Sequence, residues 1–172
     1  NAGLWAYSIG DTVAFVSKNP YRLKVTGRIK HFISAFGEHV IAKEVEEALK
    51  QTVEKHPCLV TEFTVAPQVN PGDGQKPYHE WWIEFGEPPQ DIDAFASALD
   101  EAMTLQNLYY QDLIAGKILQ PLVVRNLPPG SFKRYMQSIG KLGGQNKVPR
   151  LSNDRALAAS LESLPGPSSK MS

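Results

Sequence analysis

The chain has 172 residues, is 42% hydrophobic, and balances 18 Lys plus Arg against 18 Asp plus Glu. That length suits one compact domain with a sizeable core and a tail, and the charge balance excludes the broad positive field of nucleic-acid and anionic-membrane binders. Any phosphate contact must therefore be local.

Cys58 is the only cysteine, which excludes an internal disulfide, and no signal peptide or apolar run of membrane-spanning length is visible. A reducing, cytoplasmic setting is the expectation, with no membrane and no nucleic acid as partner. Asn1-Ala2 reads as a protease scar, which carries the expectation that residue 3 continues a longer chain.

Asp11 to Val16 and Tyr21 to Thr26 read as two strands around the turn Lys18-Asn19-Pro20, and the alternation of Tyr21, Leu23 and Val25 with Arg22, Lys24 and Thr26 predicts a hairpin with one wet face. Ile41, Val45, Leu49 and Val53 recur at helical spacing until His56-Pro57 stops the run. Leu59, Thr61, Phe63, Val65 and then His79, Trp81, Ile83, Phe85 alternate as two further strands. The loop between them, Ala66 to Pro77, holds three prolines and two glycines and is expected to be exposed.

Asp91 is placed to cap a helix carrying Ile92, Phe95, Leu99 and Met103, with helical character continuing or restarting through Leu108 to Ile114. Leu122 to Val124 reads as a strand. Pro128-Pro129-Gly130 breaks the chain, and Ser131 is expected to cap a short helix with Phe132, Tyr135, Met136 and Ile139. Gly143-Gly144 opens the loop that carries Lys147, and Leu157, Leu161 and Leu164 form a last short helix before a flexible Pro-Gly-Ser tail. The expected fold is α+β in the ferredoxin-like order ββαββαβα, with a small mixed or antiparallel sheet and helices packed on one face.

Several residues have the chemistry for a site. Lys147 sits on a glycine-opened loop with Pro149 and Arg150 behind it, where a flexible cation could meet negative charge; most lysines in such positions are solvated surface groups. Asp11 follows Gly10, where a carboxylate can accept two hydrogen bonds from vicinal ribose hydroxyls or simply act as a turn aspartate. Arg28 after Gly27 suits a phosphate or ribose oxygen and equally suits a neighbouring glutamate. The four histidines lie on different predicted elements without a short-spaced pair, so no metal site is assigned. Cys58 opens an apolar strand and reads as a small buried hydrophobe, and the Trp81-Trp82 and Tyr109-Tyr110 pairs read as split between core and surface. No Gly-rich phosphate loop is present.

The twenty residues Gly27 to Glu46, GRIKHFISAFGEHVIAKEVE, resemble without a gap the hinge motif of the adenylate-forming superfamily of acyl-CoA synthetases, luciferases and peptide-synthetase adenylation domains. Tyr7-Ser8-Ile9-Gly10-Asp11 is similar to that superfamily's preceding ribose-binding motif, and Asn146-Lys147-Val148-Pro149-Arg150 to its late catalytic-lysine motif, in the expected order. The spellings SAFGEHVIAKEVE, LQPLVVRNLPPGSF and GGQNKVPRL resemble more specifically the C-terminal domain of the auxin-responsive acyl acid amido synthetases and their bacterial relatives, over residues 4 to 151.

The resemblance implies a mobile C-terminal lid at residues 1–151, followed by a short helix and flexible tail at 152–172. The lid would belong to a ligase that adenylates a carboxylic acid with Mg-ATP and passes the acyl group to an amine, usually that of an amino acid. It implies that Asp11 binds ribose, Arg28 contacts the nucleotide, Lys30 is the hinge and Lys147 serves adenylation, while the face near Gly37 to Val40 helps form the amine channel.

Ser8 and Ser34 depart from the superfamily's basic residues, and the serine/threonine/glycine phosphate motif is absent. The acyl pocket and most of the ATP site are accordingly expected in an N-terminal adenylation domain, and the fragment alone is expected to be inactive. The competing expectation is a stand-alone ferredoxin-like module that binds a small molecule or dimerises through a sheet edge.

Overall fold

A computed structural model describes residues 11–28, 32–72, 74–143 and 146–163. The chain opens with an antiparallel hairpin, β1 (Asp11–Lys18) and β2 (Tyr21–Arg28), followed by a two-residue pair, β3 (Phe32–Ile33) and β4 (Val40–Ile41). Helix α1 (Ala42–Lys55) leads into β5 (Leu59–Gln68) and β6 (Tyr78–Glu87). Then come α2 (Ile92–Gln106), α3 (Leu108–Ala115), β7 (Val123–Leu127), α4 (Ser131–Ser138) and α5 (Ala156–Glu162). The central sheet runs β5-β6-β7, antiparallel then parallel. This is an α+β fold with a mixed sheet, as expected, although β3 and β4 and the division of α2 from α3 add elements to the order read from the chain.

Local chemistry explains the boundaries. The Glu44 carboxylate reaches back to the Ile41 N–H at 3.0 Å and closes the first turn of α1, while also accepting from Asn107 Nδ2 at 3.0 Å. Asn107 both ends α2 and starts α3: its N–H donates to Met103 C=O at 3.1 Å, and its Oδ1 accepts from the Tyr110 N–H at 2.8 Å. Asp91 caps α2 through the Ala94 N–H at 2.9 Å, as its position predicted.

Two cores share the sheet. On one face Phe63, Val65, Trp81, Ile83 and Phe85 pack with Val45 and Leu49 of α1 and Phe95, Leu99 and Met103 of α2. On the other, Ala66, Trp82 and Leu127 pack with Phe132 and Met136 of α4 and Leu157, Ala158 and Leu161 of α5. The expectation of helices on one face is thus corrected: helices cover both faces. The second face of β6 carries Glu80, Trp82 and Glu84, which a strand pattern assigns to solvent, yet both carboxylates are buried because each has partners. Glu80 binds Arg125 Nε at 2.8 Å and Arg155 Nη2 at 2.7 Å, which ties α5 to the sheet.

Glu84 accepts from the N–H groups of Gly130 at 2.7 Å and Phe132 at 3.1 Å, so the start of α4 is capped from another strand. Ser131, expected as that cap, is instead the first helical residue, and its hydroxyl donates to the Pro128 carbonyl at 2.6 Å. Gly130 precedes it at φ 79°, a left-handed conformation that costs glycine nothing. Glu84→Ala is expected to lower stability by about 1–3 kcal/mol, since the part-buried Gly130 and buried Phe132 N–H groups lose their acceptor. Urea denaturation of the variant measures the loss, and an unchanged midpoint counts against the cap.

The hairpin differs from the body. Val13, Phe15, Tyr21, Leu23 and Val25 are all more than half exposed, and the register sets Val13 opposite Val25 and Phe15 opposite Leu23. Phe15 and Tyr21 meet edge to face with ring centroids 5.9 Å apart. The predicted alternation is present, but its apolar side is uncovered among the described residues. Trp81 and Trp82 are both buried, on opposite faces, whereas Tyr110 is buried and Tyr109 exposed. Cys58 is free, half-buried and packed against the first core, and burial pushes its thiol up.

Candidate functional site

The residues singled out in the sequence fall on separate elements. The β1/β2 register sets Asp11 directly opposite Arg28 at the open end of the hairpin. Lys30 lies outside the described residues. Lys147 stands on a different element, the strap that follows α4.

Lys147 is exposed, and no carboxylate among the described residues pairs with it. Directly after it the strap is fastened to the free edge of β5. The Pro149 carbonyl accepts from Thr64 Oγ1 at 2.7 Å, the Arg150 carbonyl accepts from the Val65 N–H at 3.0 Å, and the Ser152 N–H donates to the Val65 carbonyl at 3.0 Å. Val65 and Leu151 form a parallel bridge, so the strap extends the sheet by one short rung.

The Arg150 side chain completes the fastening. Its guanidinium bonds Glu62, the Phe63 carbonyl at 3.2 Å and Glu46 at 3.3 Å, and lies 4.5 Å from the centre of the Phe63 ring. A groove of about 320 Å³ opens beside this anchor, lined by Glu62, Phe132, Met136, Leu142, Lys147 and Val148. An exposed cation beside a fastened strand edge, at the rim of a concave surface, has the chemistry to meet negative charge on a ligand.

A second constellation lies under the loop between β3 and β4. Glu38 and His79 are both buried, with His79 Nε2 2.9 Å from Glu38 Oε1, and the Phe36 N–H donates to Glu38 Oε2 at 2.8 Å. The His79 ring packs 5.1 Å from the ring of Tyr110, whose hydroxyl donates to Asp100 at 2.6 Å. Burial, and then the Asp100 carboxylate, hold the Tyr110 hydroxyl well above its usual value of 10.

Burial also pulls the Glu38 carboxyl upward, but the hydrogen bond and charge of His79, with backbone N–H groups, outweigh it and leave the group below its ordinary 4.5. A carboxyl whose folded value is depressed adds stability above its unfolded value and loses it as pH falls through the folded value. The gap in urea midpoint between the wild-type chain and Glu38→Gln is therefore expected to narrow as pH drops below 4.5. A gap that stays constant contradicts this.

Among the described residues no group of three or more His, Cys, Asp or Glu side chains could hold a metal ion, and no helix is long and apolar enough to cross a membrane. The family model of the GH3 family C-terminal domain matches residues 43–156. The chain belongs to this family.

Solved structures agree on the fold. The GH3 domain superimposes on a GH3.15 acyl acid amido synthetase with a TM-score of 0.68 at 22% identity, covering 93% of this chain and 31% of that one. It matches AtGH3.15 acyl acid amido synthetase in complex with 2,4-DB with a TM-score of 0.68 at 19% identity, covering 93% and 30%. The chain thus spans about a third of the length of these structures. No curated protein matches it.

The resemblance to the amido synthetases read from the sequence holds for this GH3 domain. Sequence reasoning missed the Glu38–His79 pair. One signal was available: His79 shares the apolar parity of Trp81, Ile83 and Phe85, which marks it as facing the core. Its partner lies 41 residues away and leaves no local trace.

Proposed function

We propose that this GH3 domain is the mobile C-terminal lid of an ATP-dependent ligase that activates a carboxylic acid as its acyl adenylate and transfers the acyl group to an amine, in particular that of an amino acid. The observation that carries this reading is Lys147: an exposed lysine three residues before an anchor that ties the strap to β5, in a chain of the GH3 family.

In the first half-reaction a carboxylate oxygen attacks the α-phosphorus of ATP and the bond to pyrophosphate breaks. The Lys147 ammonium stabilises the charge gathering on the phosphoryl oxygens once water is excluded. In the second, the amine attacks the acyl carbon, its proton passes to solvent and AMP leaves. Rotation about Lys30 withdraws Lys147 between the two steps.

Asp11 and Arg28, paired by register, serve the ribose hydroxyls and the nucleotide. Mg-ATP enters as a substrate held mainly by the N-terminal adenylation domain, where the acyl pocket also lies.

The uncovered apolar face of the hairpin, Val13, Phe15, Tyr21, Leu23 and Val25, supports the same partner. Relatives with this fold carry roughly two thirds of their length elsewhere, and that portion is the occupant the face fits. By this reading the 172-residue chain alone does not catalyse, and the whole ligase acts in a reducing cytoplasm, where a lone half-buried Cys58 stays a thiol.

The test is acid-dependent ATP–pyrophosphate exchange by the full-length ligase that contains this domain, followed by mass detection of amide products with an amino-acid panel. Exchange without any dependence on a carboxylic acid, or no exchange with any acid, overturns the reading.

A further inference from the structure

Helix α4 and the strap that follows it bring three cations to one groove. Lys133 stands in the first turn of α4, between the buried Phe132 and Met136. That position does nothing for the helix, because the positive end of the helix dipole disfavours a cation there. The helix ends at Gly140, φ 68°, whose N–H donates to the Gln137 carbonyl at 3.0 Å while the Lys141 N–H donates to the Met136 carbonyl at 2.9 Å. This pair of bonds needs a left-handed residue, which glycine supplies, and it turns the chain back toward the helix. Lys141 therefore lines the same groove as Lys133, and Lys147 lines it from the strap.

The carboxylates at the groove leave this charge uncancelled. Glu84 has its two oxygens taken by the Gly130 and Phe132 N–H groups, at 2.7 and 3.1 Å, and Glu62 is bonded by Arg150. Lys133, Lys141 and Lys147 are exposed and form no ion pair among the described residues. Between them Phe132, Met136 and Val148 make an apolar floor that can cover the lysine stems while the ammonium groups stay wet. Three like charges around one concavity repel one another, and an anion seated among them relieves that repulsion. The volume of about 320 Å³ lies at the bottom of the range for small-ligand clefts, which suits a phosphate group better than a protein surface.

We infer that Lys133 and Lys141 form a binding site for the pyrophosphate end of ATP, beside the Lys147 that acts at the α-phosphoryl group. This rests on the ligase reading above. As the carboxylate oxygen bonds the α-phosphorus, the electron pair of the breaking P–O bond leaves with pyrophosphate, which gains one negative charge. Cations set to meet that charge act more strongly on the transition state than on bound ATP. In the reverse direction the same two lysines receive pyrophosphate as a substrate.

The first experiment is ATP–pyrophosphate exchange by the full-length protein that contains this domain, with Lys133→Gln and Lys141→Gln. Each substitution is expected to raise KM for pyrophosphate by about tenfold, the scale of one charge-assisted hydrogen bond, with KM for the carboxylic acid unchanged. Both side chains are exposed, so both variants should fold. An unchanged KM for pyrophosphate in both overturns the inference.

The second experiment uses the 172-residue chain and reads binding without activity. Pyrophosphate added at constant ionic strength is expected to shift the NMR signals of Met136, Leu142 and Val148 saturably, and the chain carrying both substitutions is expected to bind at least about tenfold more weakly. Equal shifts with chloride at the same ionic strength overturn the inference. Shifts of these residues with a glutamate-rich peptide but not with pyrophosphate also overturn it, in favour of a protein partner. A wild-type protein without exchange overturns the ligase reading, and the titration still decides whether the groove holds pyrophosphate.

Discussion

On the proposed adenylation role, Lys147→Ala in the full-length protein that contains this domain is expected to reduce acid-dependent ATP–pyrophosphate exchange by about 10²–10³-fold, the scale on which one preorganised charge donor acts at a developing oxyanion. The fold should be untouched, because Lys147 is exposed and the anchor that follows it is made by Thr64, Val65, Glu62 and the Phe63 carbonyl without any contribution from the lysine. Two controls follow from that separation. The thermal midpoint of the variant should equal that of the wild type, and amide formation from a supplied acyl adenylate should survive, since the proposed rotation would withdraw the lysine before that step. Near-normal exchange in Lys147→Ala sinks the adenylation role, and loss of both half-reactions together would recast Lys147 as a residue needed for domain closure.

The largest expected effect on stability belongs to Trp81→Ala, at about 3–5 kcal/mol. Trp81 has no exposed surface, stacks on Phe63 with ring centroids 5.6 Å apart, and sits in the middle strand of the sheet. Truncation opens a cavity between β5, β6 and the α1/α2 layer, and the facing side chains are too tightly held by the helices to collapse into it. It also removes support from the Phe63 ring, over which Arg150 lies, so the Lys147 strap should loosen with it. Against a total stability of roughly 5–15 kcal/mol for a domain of this kind, the variant is expected to be partly unfolded at physiological temperature. Urea denaturation followed by far-UV circular dichroism measures this, and a loss below about 1 kcal/mol would show that the two cores relax independently of this side chain.

The parts of the fold legible in the sequence were those encoded by period. Helix α1 follows from Ile41, Val45, Leu49 and Val53, and strand β6 from the alternation through His79 to Phe85. The end of α1 at His56-Pro57 and the Asp91 cap of α2 follow from residues whose backbone chemistry permits little else. The second core was not legible. Glu80 and Glu84 sit where a strand usually faces water, and they are buried only because Arg125, Arg155 and the start of α4 converge on them from positions 45 to 75 residues away. Likewise Ser131 has the right side chain for a cap and the right place in the chain, yet Glu84 fills that role, because a charged acceptor arriving across the sheet satisfies two N–H groups at once.

The candidate site divides along the same line. By itself the sequence determined the family resemblance and the α+β class and singled out candidate site residues, because motifs, periodicity and caps are local properties of neighbouring residues. Only the tertiary structure decided that Lys147 is borne on a strap bonded to β5, that Asp11 and Arg28 oppose each other in register, and that Glu38 is buried against His79. Each of these depends on partners brought together by burial of the two cores, and a hydrogen bond between side chains distant in the chain is specified by no residue until packing has placed both.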